Sequence, residues 1–177
     1  AKTRRRTAIF VSIGFLVLAA ALGYLVAQEW PRLRWKWKGG GIRTLDDGTV
    51  HHVIAAGSQF TDADVIELRH FPELKSLTLR ASHVTDDGVR QLAQVRRLQT
   101  LDLSGTQVTD AGLRYLAEHG TLSEILLQDC PQMSIDGLLE LRRITGLRLL
   151  SLGRLPLDGV DFRRLQDAFP NTTIVLD

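Results

Sequence analysis

The sequence predicts an α/β solenoid, right-handed, of about five 24-residue strand-turn-helix units with a parallel sheet on the concave face, preceded by a single transmembrane helix. Three observations predict it: an apolar pattern that returns every 24 residues, a helix-start signal at a fixed place in each return, and an uncharged run of 20 residues near the N-terminus. Leu74, Leu77, Leu79, Val84, Val89 and Leu92 are answered by Leu98, Leu101, Leu103, Val108, Leu113 and Leu116, each 24 positions later. The same template finds Val50, Val53, Ala55, Phe60, Val65 and Leu68 on one side. On the other it finds Leu122, Ile125, Leu127, Met133, Leu138 and Leu141 after one inserted residue, then Leu147, Leu150, Leu152, Leu157, Phe162 and Leu165. A strand-like remainder follows at Asn171, Ile174 and Leu176. A period in this range belongs to stacked supersecondary units, each too small to bury its own apolar face.

Within a unit the first apolar residues are spaced three and then two apart, as in Leu98, Leu101 and Leu103, which suits a short strand with alternate side chains turned inward. The later ones, such as Leu113 and Leu116, share one helical face. Between them Thr85-Asp86-Asp87-Gly88 and Thr109-Asp110-Ala111-Gly112 offer a hydroxyl to the orphan N–H groups of a helix start and a carboxylate to its positive end. Strand, turn, helix and return make a right-handed crossover to the next parallel strand.

The run from Leu98 to Leu113, with its Thr106-Gln-Val-Thr-Asp-Ala-Gly112 core, resembles the bacterial leucine-rich repeat of the form LxxLxLxxTxVTDxGL. The unit from Leu122 to Leu138, with Cys130, is similar to the cysteine-containing subtype. The resemblance covers residues 44–177 and implies a protein-interaction surface without catalysis. Two departures mark the end units as irregular: Leu157-Asp158-Gly159 replaces the Thr-Asp signal, and Ala55 stands where leucine is usual.

Charge divides the chain. Residues 1–43 hold nine Lys or Arg against Glu29 alone, a net of +8, and the remaining 13 basic and 19 acidic residues leave the repeats at −6. The apparent pI near 9.0 therefore does not describe the repeat surface, which would repel phosphates, and nucleic acid is excluded as a partner. The basic residues flank Ala8 to Ala27, an uncharged stretch long enough at 1.5 Å per residue to span a bilayer core of about 30 Å. A cleaved signal peptide ending at Ala19-Ala20-Ala21 is the competing reading. After the stretch, Trp30, Trp35 and Trp37 interleave with Arg32, Arg34, Lys36 and Lys38, the composition of a segment seated among lipid headgroups. Gly39-Gly40-Gly41 is expected to be a flexible joint. The chain thus divides into a basic flank (1–7), a transmembrane helix (8–27), a juxtamembrane linker (28–43) and the repeat domain (44–177). The repeats are expected outside the cytoplasm.

Chemistry-bearing clusters are sparse. His51 and His52 are adjacent, and on a strand their side chains point to opposite sides, so no metal is assigned. Cys130 falls in a column with Ser58, Ser82 and Thr106 and is expected to face the turn backbone as a structural residue. Asp62, Asp86 and Asp110 recur at one step and are expected to serve helix termini, not calcium. No catalytic residue and no cofactor are assigned.

What remains is surface. Strand alternation turns His52, Thr78, Arg80, Thr100, Asp102, Ser104, Glu124, Leu126, Gln128, Leu149, Ser151, Gly153, Thr173 and Val175 outward on the concave sheet. Leu126, Leu149 and Val175 are expected to form one exposed apolar patch beside the open edge of the last strand, a place where a partner adds by strand pairing. The expected function is a membrane-anchored accessory or assembly subunit that binds a membrane-bound or surface-localised protein, with the bilayer as second partner. The alternative is a sensor or receptor for a cell-surface glycan or peptide.

Overall fold

The computed structural model describes residues 40–44, 49–153, 155 and 157–176. The expected transmembrane stretch, the tryptophan-rich linker with Trp30, Arg32, Arg34, Trp35, Lys36, Trp37 and Lys38, and Asp177 lie outside the described residues. Among the described residues no helix is long and apolar enough to cross a membrane.

Among the described residues seven strands form one sheet in chain order: β1 (Gly41–Thr44), β2 (Val50–Ile54), β3 (Ser76–Thr78), β4 (Thr100–Asp102), β5 (Glu124–Leu126), β6 (Leu149–Ser151) and β7 (Thr173–Val175). From β2 onward every pairing is parallel, and each residue meets the one in the next unit, Ser76 with Thr100 and Thr100 with Glu124. Among the described residues five helices, α1 (Asp62–Val65), α2 (Asp86–Gln91), α3 (Asp110–Leu116), α4 (Ile135–Glu140) and α5 (Gly159–Ala168), pack in the same sequential order. This is the solenoid that the repeat implied. Backbone pairing outruns the three-residue strands: Leu79 N–H donates to the Asp102 carbonyl at 2.7 Å and Leu103 N–H to Leu126 at 2.9 Å.

One strand went unforeseen. Gly41 is no flexible joint: β1 runs antiparallel to β2, with Gly41 opposite Ile54, and Ile42 packs on the core. The hairpin covers the otherwise open edge of β2, which is how a solenoid end is closed.

The core is a stack of equivalent leucines. Leu74, Leu98 and Leu122, Leu77 and Leu101, and Leu79 and Leu103 are all fully buried, and Phe60 fills the first unit. The helices of the inner units are shorter than the apolar spacing implied: α2 and α4 each give way to a 3₁₀ turn, Leu92–Gln94 and Leu141–Arg143. The last unit departs the other way, with α5, at 10 residues, the longest helix among the described residues, capped by Asp158 through the N–H groups of Val160 and Asp161, both at 2.8 Å.

The helix-start signal does more than cap. Thr85, Thr109 and Ser134 accept from the N–H groups of Asp87, Ala111 and Gly137 in their own helices. Each is also held by the acid of the preceding unit. Asp62 takes the Thr85 N–H at 2.8 Å and its hydroxyl at 2.7 Å, Asp86 does the same for Thr109, and Asp110 takes Ser134 at 2.8 and 2.6 Å. A Cβ on Gly88, Gly112 or Gly137 would collide with the same three carboxylates. The motif Thr-Asp-x-Gly is therefore an inter-unit clamp: the acid reaches forward, and the glycine makes room for the acid behind it.

Candidate functional site

The helix-free face of the sheet is lined by two rows of side chains. The first is His52, Ser76, Thr100, Glu124, Leu149 and Thr173; the second is Ile54, Thr78, Asp102, Leu126, Ser151 and Val175. The strand pattern with a buried central residue and half-buried neighbours, as in β3, β4 and β5, follows from helices covering one face only. Arg80 and Gln128 stand beyond the strand ends, where Gly57 N–H donates to the Arg80 carbonyl at 2.9 Å and Gly105 N–H to that of Gln128 at 2.8 Å.

Polar residues on this face hold one another. The Thr100 hydroxyl donates to Glu124 Oε2 at 3.1 Å. A longer thread crosses three units: Asp102 Oδ1 accepts the Ser104 N–H at 2.9 Å, Ser104 Oγ accepts the Gln128 N–H at 3.2 Å, and Gln128 Nε2 donates to Ser151 Oγ at 3.1 Å. Such pairs fix side chains before any partner arrives, which lowers the ordering cost of binding. Sequence alternation placed these residues on one face but gave no sign that they bond across units.

Three outward assignments need correction. Ser104 and Ser151 are only 1% and 5% exposed, and Gly153 is buried as well. Ser104 lies where the strand bends into the turn at Gly105, and its short side chain reaches the neighbouring backbone; Ser151 sits beneath the Gln128 amide. Leu126, Leu149 and Val175 do not form an exposed apolar patch. All three are half-buried, and they alternate between the two rows with Glu124, Ser151 and Thr173 between them. Thr173 is exposed, and Leu176 beside it is 43% exposed.

Cys130 is fully buried, its Sγ 3.4 Å from the carbonyls of Leu103 and Gln128, and burial pushes the thiol up, away from the thiolate a nucleophile needs. Thr106 in the same column donates to the Leu103 carbonyl at 2.7 Å. His51 and His52 lie on β2, and among the described residues no three His, Cys, Asp or Glu side chains gather as metal ligands. The Asp62, Asp86 and Asp110 column is occupied by the clamp.

Sequence reading passed over His119. It occupies a column otherwise filled by Phe71, Val95, Ile144 and Phe169, and it is 8% exposed. Its Nε2 lies 3.1 Å from the Val95 carbonyl, so that nitrogen carries the proton, and desolvation holds its pKa below the ordinary 6.5. A polar residue in an apolar column was the signal that could have found it.

No protein-family model and no curated protein matches the chain. Among solved structures, a leucine-rich repeat protein of Leptospira interrogans is similar with a TM-score of 0.45 and 20% identity, covering 62% of this chain and 33% of that one. The PEPR1–AtPEP1 complex is similar with a TM-score of 0.45 and 18% identity over 77% of this chain and 19% of that one. The chain thus spans a third or less of the length of either.

Proposed function

We propose that this leucine-rich-repeat solenoid is a membrane-anchored protein-interaction module, an accessory or assembly subunit whose partner rests on the helix-free face of the sheet. The observation that carries the reading is the bonded thread from Asp102 through Ser104 and Gln128 to Ser151, with Thr100 and Glu124 alongside. A wide, preorganised polar face flanked by half-buried Leu126 and Leu149 suits a protein surface better than a small molecule. The partner-contacting residues are His52, Thr78, Arg80, Thr100, Asp102, Glu124, Leu126, Gln128, Leu149, Thr173 and Val175, with buried Ser151 holding the Gln128 amide in place from beneath.

The membrane part of the proposal is supported by the sequence alone. Ala8 to Ala27 would span the bilayer, and the tryptophans and cations after it would seat at the headgroups, holding the repeats near the surface. Confinement raises the effective concentration toward a membrane-bound partner without any new contact. Two measurements test this. Alkaline carbonate washing should leave the full chain in the membrane pellet, and release of a soluble fragment beginning near Leu22 would replace the anchor with a signal peptide. In mild detergent the chain should comigrate with a larger complex. A monomer that responds only to added glycan or peptide would replace the assembly role with a receptor role.

A further inference from the structure

On the helix side, between the second and third units, lies a groove of about 520 Å³. Arg90, Ala93 and Arg96 line it from one unit, and Tyr115, His119 and Gly120 from the next. Two sequence choices keep it open. Ala93 contributes only a methyl group where the first and fourth units carry Arg69 and Arg142. Gly120 is required neither by backbone conformation nor by packing: its φ is not in the left-handed region, and a Cβ there would meet nothing within 4 Å.

The lining offers both donors and acceptors around an apolar ring. Arg90 touches Asp87 at 3.2 Å across the exposed helix surface, whereas Arg96 makes no side-chain bond among the described residues. Tyr115 is 44% exposed, one of four large apolar side chains so exposed among the described residues. Because the His119 Nε2 proton is given to Val95, Nδ1 is an acceptor. Its neighbour is Thr121 Oγ1 at 3.3 Å, whose one proton is also within reach of the Leu98 carbonyl at 2.8 Å and the Arg96 carbonyl at 3.2 Å. Glu118 adds a carboxylate to the same groove.

We propose that this groove binds a peptide segment of a partner protein in which a carboxylate side chain lies next to an aromatic one. The carboxylate pairs with the Arg96 and Arg90 forks, the aromatic side chain stacks on Tyr115, and backbone N–H groups of the peptide face Glu118 and His119. Phosphate or a polyphosphate brings acceptors alone and would leave Glu118 and the His119 Nδ1 without donors, which a peptide backbone supplies. The groove is on the opposite side from the polar sheet face, so the two readings stand or fall separately.

The test is fluorescence anisotropy of the full chain in detergent with a labelled peptide carrying two glutamates followed by a phenylalanine. A peptide with lysines in place of the glutamates and inorganic phosphate serve as comparators. Saturable binding of the acidic peptide is expected, weakened at least about tenfold by Arg96→Ala and by Gly120→Leu, with Glu124→Lys without effect. Gly120→Leu places its Cβ where no atom lies within 4 Å, so the backbone is expected to keep its course, and circular dichroism and the urea midpoint verify it. The basic N-terminal segment is common to every variant, so binding there would survive both substitutions and would overturn the proposal. Absence of saturable binding, equal binding of the lysine peptide, or displacement by inorganic phosphate would overturn it too.

Discussion

Asp86 holds Thr109 of the next unit at two points: Oδ1 takes the backbone N–H at 2.8 Å and Oδ2 takes the hydroxyl at 2.7 Å. The clamp repeats at Asp62–Thr85 and Asp110–Ser134 and then stops. In the fourth unit Ile135 stands in the acid's place, and in the fifth Asp158 replaces the hydroxyl residue and Asp161 the glycine. These three changes are one physical event. An acid at position 135 would face the Asp158 carboxylate, and once the acid is gone the glycine is no longer needed.

Asp86→Ala should lower stability by about 2–4 kcal/mol, because it removes two charge-assisted bonds and leaves the half-buried Thr109 N–H without its acceptor. Asp87→Ala, next in sequence but exposed and paired with Arg90 only at the surface, should cost under about 0.5 kcal/mol. Urea midpoints compare the two, and equal losses would show that the clamp contributes nothing beyond a helix-end charge.

Gly137→Ala should cost about 1–3 kcal/mol, since the added carbon would overlap the Asp110 carboxylate. In an Asp110→Gly background the same change should be neutral or favourable by up to about 1 kcal/mol, the advantage of alanine over glycine in a helix. A double-mutant cycle measures the coupling directly. A cost unchanged by Asp110→Gly would mean that the glycine answers to something else.

The missing clamp predicts where the solenoid opens first. Amides of α5 should exchange with deuterium before those of α2 and α3, although α5 is longer than either, because among the described residues its polar tie to α4 is the exposed Arg164–Asp136 pair at 2.9 Å and no clamp. Protection of α5 equal to that of α3 would show that apolar burial alone sets the opening order.

Stability should fall on mild acidification through His119. Its folded pKa is depressed, so the unfolded chain takes up a proton that the buried ring refuses. Stability on this account is fully present above the ordinary histidine value of about 6.5 and is lost as pH falls from there through the folded pKa. His119→Val, which restores the apolar character of the column, should remove that part of the pH dependence. A thermal-melting series from neutral to mildly acid pH reads it, and an unchanged slope in the variant would assign the effect elsewhere.

The stacking was legible because a solenoid writes its own contacts into the sequence: Leu77 beside Val53 is the same statement as Leu101 beside Leu77, and register follows from period. The clamp was half legible. Asp86 and Gly88 were visible as helix-start residues, but that the acid reaches the unit 23 positions on, from Asp86 to Thr109, needs the stacking distance and not only the spacing. The β1 hairpin left no trace in the repeat because Gly41 and Ile42 belong to no unit; only the need to close an open sheet edge could have anticipated it. On the sheet face, alternation assigned sides correctly for Thr100 and Glu124. It did not report exposure at Ser104 and Ser151, where a short side chain is covered by its neighbours.

Site-resolved photo-crosslinking of the full chain in its native membrane locates the face on which a partner rests. Crosslinkers at Thr78 and Glu124, on the helix-free face, should yield a discrete protein adduct that Asp102→Lys abolishes, while one at the exposed Arg163 of α5 should yield none. An adduct from Arg163 alone, or one from Thr78 that Asp102→Lys leaves intact, would contradict the account.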